Sequence, residues 1–349
     1  MDKKCSFAER VNDPTTFYLT ISGSRAYGTN TLTSDVDYKG IYLPAKDTYK
    51  NPVEQYEFNE PDAVIYSVKK FLGLLVENNP NIIEMLWTEE EDVAKIDERG
   101  RYLREIRESF LTKKVVHTFT GYAHAQLKRM ETHRKWLLNP PTKKPDRKDF
   151  LLPEMPVVPK NQLDAAKSKV TKKMDSWAID FGPDVASHSK IYIMEQISDY
   201  LSEIEVSRDE KFILASRILG FEENFIEYMD KERRFEAASK EWKDYNTWLN
   251  ERNESRFIGQ VGYDCKNGYH LIRLLTMACE ILETGNVVVK RPDANIYLDI
   301  RNGLWEYDRI MQYADELKSK TASLAKTCML PNNVDSTFVE NVYQRIVTL

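Results

Sequence analysis

The stretch from Ser22 to Gly40, SGSRAYGTNTLTSDVDYKG, constrains this chain most strongly, because it joins two predicted strands through a turn that carries charge. The preceding residues 17–22, FYLTIS, are aromatic and β-branched and predict a strand. Gly23 and Ser24 predict a turn after it. Residues 36–44, VDYKGIYLP, predict a second strand that stops at a proline. The chain therefore makes a strand, a tight turn and a second strand within about thirty residues.

Two aspartates, Asp35 and Asp37, lie two positions apart where the second strand is predicted to begin. Side chains alternate along a strand with period two, so both carboxylates are expected on the same face. Two carboxylates that close repel each other unless a cation neutralises them. Mg²⁺ binds through one or two carboxylates together with substrate phosphates. The pair therefore predicts a magnesium site.

The turn ahead of the aspartates has the features of a phosphate site. Gly23 and Ser24 let the backbone approach a phosphate closely and offer N–H and hydroxyl donors. A helix opening at Arg25 would add its positive N-terminus, and Arg25 itself is expected either to contact phosphate or to pair with a nearby aspartate. The glycine spacing from Gly23 to Gly28 matches a P-loop, but residues 29–30, Thr-Asn, replace the required Lys-Ser/Thr. A plain surface turn with solvated aspartates is the other interpretation, and the order of the parts favours the metal and phosphate site.

A two-metal phosphoryl-transfer site needs a third carboxylate from a neighbouring strand. Asp62 directly precedes the predicted strand DAVIYS, residues 62–67, and is the favoured candidate. Glu57 and Glu60 compete with it, because the preceding segment is rich in acids. The sequence therefore predicts a site for two Mg²⁺ ions, or Mn²⁺ in their place, on Asp35, Asp37 and Asp62.

A second set of polar residues lies in the predicted helix 264–284. Lys266, His270, Arg273 and Glu280 fall in one narrow stripe at about 100° per residue. Such a stripe beside an apolar face can clamp a polyphosphate or contact a base, and the alternative is a solvated face in which Arg273 pairs with a carboxylate. The adjacent face is expected in the core, with Leu271, Leu274, Leu275, Ala278 and Leu282.

Another predicted helix carries a basic face. His117 and His124 lie seven residues apart on it, together with Lys113, Lys114 and Lys128. This face could follow an RNA backbone, although a solvated helix is the favoured interpretation.

Composition sets the remaining limits. A chain of 349 residues suggests two or three domains, and a net charge of −5 argues against a generally basic nucleic-acid-coating protein. The four cysteines have neither zinc-site nor Cys-x-x-Cys spacing, which favours free thiols in a reducing compartment. The N-terminus has no apolar signal core and no segment is long enough for a membrane helix, so we expect a soluble, cytoplasmic protein without a membrane partner.

Five blocks that occur in order carry a resemblance to a known family. The blocks are GSRAYGTNTLTSDVDYKGIY, DAVIYSVKKF, NPNIIEMLW, HLIRLLTMACEILETGNVVVKRPDA and IRNGLWEYDRI. The chain resembles the DNA polymerase beta-like nucleotidyltransferase superfamily and, within it, the RNA repair pathway DNA polymerase beta family. The resemblance covers roughly residues 15–90 and 260–349. The chain departs from the family in having Asn267, where a histidine tends to follow the lysine at Lys266.

The resemblance implies an Mg²⁺-dependent, template-independent nucleotidyltransferase that uses a nucleoside triphosphate. By that implication Asp35 and Asp37 hold the metals, Asp62 completes the triad, and Gly23 and Ser24 hold the triphosphate. The acceptor would be a hydroxyl at an RNA 3′ end. The alternatives are transfer to a hydroxyl of a protein or small molecule, and a catalytically inactive module that binds nucleotide or RNA.

The expected fold class is α+β. A small mixed, mostly antiparallel sheet with helices is expected at the N-terminus, followed by a largely α-helical C-terminal region. We expect a nucleotidyltransferase domain at residues 1–110 and a helical domain at 111–349. Within the latter, a variable middle part spans about 139–258, and the part 259–349 is expected to complete the nucleotide site. The oligomeric state is left open.

Overall fold

The computed structural model describes residues 5–45, 53–175, 208–251 and 261–349. The chain divides into two compact units, one formed by residues 1–139 together with 253–349 and the other by residues 140–252. The predicted domain boundary at residue 110 stays a prediction.

The first unit contains a five-stranded sheet. Its strands are β1 (Thr16–Ser22), β2 (Asp37–Tyr42), β3 (Gln55–Asn59), β4 (Asp62–Ser67) and β5 (Val93–Ile96), in the spatial order β3-β4-β2-β1-β5. The pair β2/β4 is parallel, and the other three neighbouring pairs are antiparallel. The predicted mixed, mostly antiparallel sheet is therefore confirmed, whereas β3 and β5 were not predicted.

Helices make up most of the remaining structure, as predicted. In chain order they are α1 (Phe7–Asn12), α2 (Gly23–Ala26), α3 (Val68–Val76), α4 (Pro80–Leu86), α5 (Glu98–Glu105), α6 (Val115–Leu138), α7 (Lys160–Asp175), α8 (Arg208–Ile218), α9 (Glu223–Glu251), α10 (Cys265–Thr284), α11 (Ala294–Arg301), α12 (Tyr307–Thr327) and α13 (Ser336–Thr348). Within the described ranges, none is long and apolar enough to cross a membrane.

Helix α10 forms the centre of the first unit and packs against α6 and α12. Its predicted apolar face is buried, including Leu271, Leu275 and Ala278 at no exposure. The buried carboxylate of Asp264 caps the helix by accepting the Lys266 and Asn267 backbone N–H groups. Its other oxygen lies 3.1 Å from Nδ1 of His133 on α6. The Asp264 side chain therefore caps the N-terminus of α10 and also contacts α6 beside it.

The second unit packs α7, α8 and α9 around a small core of its own, to which Leu163, Val170, Phe212 and Met229 contribute. Its proline-rich segment, residues 140–159, contains a short 3₁₀ helix, Arg147–Phe150.

Candidate active site

A cleft of about 960 Å³ opens in the first unit. The β1–α2 turn, the first residues of β2 and β4, the start of α4, and one face each of α6 and α10 line it. Its volume is in the range of small-molecule sites. Six of the nine predicted site residues lie in its lining, namely Gly23, Asp37, Asp62, Lys266, His270 and Arg273. Asp35, Ser24 and Arg25 lie outside the lining.

Asp37 and Asp62 are brought together by strand register. Each is the first residue of its strand, and the parallel pairing places Tyr38 opposite Ala63 directly after them. The two carboxylates therefore begin neighbouring strands at the same edge of the sheet. Burial raises the pKa of the Asp37 carboxyl, and the charges of Asp62 and Asp35 raise it further. A cation between these groups would relieve that repulsion.

Asp35 occupies a different position from the one predicted. Strand β2 begins at Asp37, so Asp35 is an exposed loop residue and the period-two argument does not apply to it. The loop keeps its own hydrogen bonds, since Thr31 N–H donates to Ser34 Oγ at 2.8 Å. Such local bonds compete with extension of the strand.

Arg25 reinforces the same loop. Its guanidinium donates to the carbonyl oxygens of Ser34, at 2.8 Å, and Asp35, at 3.2 Å. It therefore holds the backbone beside Asp35, where the sequence suggested a phosphate contact or an ion pair. The helix expected to open at Arg25 is the single turn α2, which begins two residues earlier at Gly23.

Gly23 is held against a carboxylate. Its φ of +66° is in the left-handed region, and a β-carbon placed there would lie 2.2 Å from Asp37 Oδ2. Only a residue without a side chain fits this point without moving Asp37. Bare backbone therefore lines the cleft beside the carboxylate, which suits the close approach of a phosphate or a metal.

The chemistry of the donors fits a hard divalent cation, because Asp35, Asp37 and Asp62 offer only carboxylate oxygens. Within the residues that the structure describes, however, no three His, Cys, Asp or Glu side chains are gathered closely enough to hold one ion together. Asp37 and Asp62 are the adjacent pair, and Asp35 contributes from the neighbouring loop through its charge.

Helix α10 supplies a cationic wall. Lys266 is exposed at the mouth of the cleft, and His270 lies one turn deeper. Burial and the charges of Arg273 and Lys266 hold the pKa of His270 well below its usual value, so its imidazole is neutral at pH 7. Glu280, the last member of the predicted stripe, pairs instead with Arg291 and does not line the cleft.

Arg273 is the buried member of this wall, with a relative exposure of 4%. Its Nη1 donates to Glu84 on α4, and its guanidinium lies 3.9 Å from the centre of the buried Tyr27 ring. Burial opposes the charge, but the Glu84 carboxylate raises the pKa of Arg273 above its ordinary value. Nε is buried without a hydrogen-bond partner in the described part of the chain. The carboxylate pairing that the sequence allowed is therefore present, and a donor remains unused.

Several residues in the lining were not found from the sequence. Lys39 lies two residues after Asp37 on β2, and its Nζ donates to both oxygens of Asn81 at 3.2 Å. Burial lowers the pKa of Lys39, while Glu84 opposes this effect. The spacing of two residues between Asp37 and Lys39 could have predicted that both side chains lie on the same face of β2. The α6 face, with Gly121, Tyr122, Ala125, Gln126 and Arg129, gave no such signal.

Comparison with known proteins agrees with this geometry. Residues 3–144 match the model of the RNA repair pathway DNA polymerase beta family, which confirms the resemblance for this part of the chain.

One curated relative matches along nearly the whole chain. It is an uncharacterized 38.9 kDa protein in the nrdC-mobD intergenic region of Enterobacteria phage T4, 22% identical over 353 aligned residues. The match covers 93% of this chain and 94% of that protein, so it includes the second unit as well as the first. No solved structure gives a significant match.

Proposed function

We propose that this protein is a divalent-metal-dependent, template-independent nucleotidyltransferase that moves a nucleoside monophosphate from a nucleoside triphosphate to the 3′ hydroxyl of an RNA. The observation that carries the proposal is the pairing of Asp37 and Asp62 beside the bare backbone of Gly23. The family of residues 3–144 supports the reaction class and the role in RNA repair.

The charges of the cleft suit a triphosphate. Four cationic side chains line it, Lys39, Arg129, Lys266 and Arg273, against the carboxylates of Asp37 and Asp62. Glu84 offsets the charge of Arg273, which leaves one more cation than carboxylate in the lining of a chain whose net charge is −5. Such a cleft concentrates an anionic substrate. The unpartnered Nε of Arg273 adds a donor that a substrate oxygen can satisfy.

The reaction needs positioning and charge neutralisation more than covalent chemistry by the protein. One or two Mg²⁺ ions on Asp37 and Asp62, aided by Asp35, would polarise the α-phosphate and lower the pKa of the attacking hydroxyl. The backbone at Gly23 and Ser24 binds the β- and γ-phosphates, and Lys266 offsets their charge.

Bond changes follow from this placement. The acceptor oxygen forms a bond to the α-phosphorus, and the bond from that phosphorus to the oxygen bridging to the β-phosphate breaks. Pyrophosphate leaves with the electron pair. Asp62, exposed at the start of β4, accepts the proton of the hydroxyl.

The test is a panel of four α-³²P nucleoside triphosphates with Mg²⁺ and an RNA bearing a free 3′ hydroxyl. We expect label in the RNA and at least a 100-fold loss in Asp37→Ala and in Asp62→Ala. Glu57→Ala and Glu60→Ala are matched controls, because these nearby acids lie outside the cleft lining. Both should keep wild-type transfer.

Other outcomes would overturn parts of the proposal. Full transfer in Asp37→Ala would remove the assigned site. Label that appears in the protein itself, or in RNA with a blocked 3′ end, would refute the RNA 3′ acceptor. Tight triphosphate binding without release of pyrophosphate would show an inactive binding module.

A further inference from the structure

One wall of the cleft has no role in the reaction described above. It is the face of α6 formed by Gly121, Tyr122, Ala125 and Gln126, which recur with helical spacing and line the cleft. None of the four carries a charge. Tyr122 is 38% exposed, and a β-carbon at Gly121 would meet no atom within 4 Å. The wall therefore offers an uncharged surface between His117 and Arg129, with open space above Gly121.

We propose that this α6 wall binds a nucleobase and sets which base the enzyme prefers. The inference rests on the proposed function for its substrate, a nucleotide, and concerns residues that the reaction itself does not use. The base can belong either to the incoming triphosphate or to the 3′-terminal nucleotide of the acceptor, since both present the same heteroaromatic chemistry at the reacting phosphate.

Tyr122 is prepared for this role by its surroundings. Its hydroxyl accepts a hydrogen bond of 2.8 Å from Asn79 Nδ2, at the start of α4, which restrains the ring. The first turns of α6 are held in the same place, because the Thr118 hydroxyl donates to the Asn78 carbonyl at 2.8 Å. A restrained aromatic ring loses little entropy when a base stacks on it.

The small side chains leave room for the base, and Gln126 can read its edge. Gly121 and Ala125 are exposed, so a planar ring can approach the helix closely. The Gln126 amide makes no hydrogen bond within the described residues and offers one donor group and one acceptor. Side-chain amides discriminate bases through such paired contacts. The phosphates of the same nucleotide would bind to the cationic side chains of α10, Lys266 and Arg273.

The first experiment measures kcat/KM in two arms. One arm varies the triphosphate base at a fixed acceptor, and the other varies the 3′-terminal base of the RNA at a fixed triphosphate. In Gln126→Leu we expect the preference among bases to change by between about 5-fold and 100-fold in one arm. Asp37→Ala should lower transfer equally for every base. The arm that changes identifies which base lies on the α6 wall.

The second experiment fills the space above the wall. Gly121→Leu should raise KM at least 10-fold in the same arm, because a leucine would occupy the position of the base. Gly73→Leu is the matched control, since Gly73 is also an exposed helical glycine with no atom within 4 Å of its β-carbon, and it lies outside the cleft. Leucine is a better helix former than glycine, so both variants should fold.

The results separate this proposal from the proposed function. Unchanged base preference in Gln126→Leu, together with unchanged KM in Gly121→Leu, would overturn the base-binding role while leaving transfer intact. If the wild type transfers no nucleotide, saturation-transfer NMR with the four free nucleosides tests the wall directly. Nucleoside binding that Gly121→Leu abolishes and Gly73→Leu keeps would then support the wall alone, and no binding would refute it.

Discussion

The hydroxyl of Tyr269 lies 2.9 Å from Oγ1 of Thr29, and both groups are buried. This contact joins α10 to the end of the turn that follows β1. Two further bonds tie the same turn to the C-terminal part of the chain, since Arg291 N–H donates to the Tyr27 carbonyl and Arg301 donates to the Thr29 carbonyl. The backbone beside Asp37 is therefore positioned by residues more than 230 positions further along.

Removing this hydroxyl should loosen the turn. We expect Tyr269→Phe to cost about 1 kcal/mol of unfolding free energy, because Thr29 loses a buried hydrogen-bond partner, and to lower kcat/KM several-fold. Tyr263→Phe is the control, since the buried Tyr263 hydroxyl donates to the Trp305 carbonyl at 2.7 Å, away from the turn. Urea denaturation and transfer assays on both variants check this. Equal loss of activity in the two would contradict a local effect.

Substitutions at two glycines of the turn after β1 distinguish the effect of backbone strain from the effect of moving the Asp37 carboxylate. Gly23 and Gly28 have φ of +66° and +69°, so alanine at either costs about 1–2 kcal/mol. At Gly28 a β-carbon would meet only Lys290 Cγ at 3.8 Å, whereas at Gly23 it would displace Asp37. We expect Gly23→Ala to lose at least 10-fold more transfer activity than Gly28→Ala at similar stability. Indistinguishable activities would mean that the Asp37 carboxylate can move without cost.

The parts of the site that depend on local patterns were predictable from the sequence. Strand β4 begins at Asp62 as expected from its β-branched residues, and the apolar face of α10 is buried as its periodicity indicated. Gly23 is required by the turn itself. Each of these follows from neighbouring residues, so a window of ten to twenty residues contained the signal.

The remaining parts depend on tertiary packing. In the sequence, Glu84 is one polar residue within a short apolar segment. Its pairing with Arg273 arises only when α4 and α10 come together in the fold. Asp35 lies outside strand β2 because hydrogen bonds between Ser34 Oγ and Thr31 hold the preceding residues in a loop. The exposed wall at Tyr122 carries no periodic apolar signal. Pairings over a hundred residues or more cannot be inferred from spacing along one chain.

The ion pair of Arg273 and Glu84 gives a third prediction. Both side chains are buried, with exposures of 5% and 6%, so removing one partner leaves an unpaired charge. We expect Arg273→Met and Glu84→Gln each to cost about 3–5 kcal/mol, and the double variant to cost less than the sum. The exposed pair Lys320–Glu283 is the control, and Lys320→Met should change stability by less than about 1 kcal/mol. Additive costs would show that the two groups do not interact.

The partly buried imidazole of His270 predicts a dependence of stability on pH. Its pKa in the folded protein is below the usual value of about 6.5 in the unfolded chain. Below pH 6.5 the unfolded state therefore binds a proton that the folded state does not, and stability falls by at most about 1.4 kcal/mol per pH unit. In His270→Gln this loss should be absent. Urea denaturation at pH 7.5, 6.5 and 5.5 measures the difference between the two proteins, which should stay constant above pH 7. A difference that does not change down to pH 5.5 would contradict the assignment.

The carboxylates predict that the metal-free site destabilises the fold. Asp37 is partly buried beside Asp62 and also feels the charge of Asp35 on the neighbouring loop, so its own charge is unfavourable until a cation binds. Asp37→Asn should therefore raise the thermal midpoint of the metal-free protein by about 1–2 °C while abolishing transfer. Differential scanning fluorimetry in EDTA measures this.

Mg²⁺ should reverse the order of the two proteins. At ten times its dissociation constant a bound ion stabilises the wild type by about 1.4 kcal/mol, or about 3 °C, whereas Asp37→Asn should gain little. Asp92→Asn is the control, because burial also raises the pKa of this carboxyl outside the cleft, and its response to Mg²⁺ should match the wild type. An equal Mg²⁺ shift in Asp37→Asn and the wild type would place the ion elsewhere. A lower midpoint of Asp37→Asn in EDTA would mean that the carboxylate makes stabilising contacts that outweigh its repulsion from Asp62.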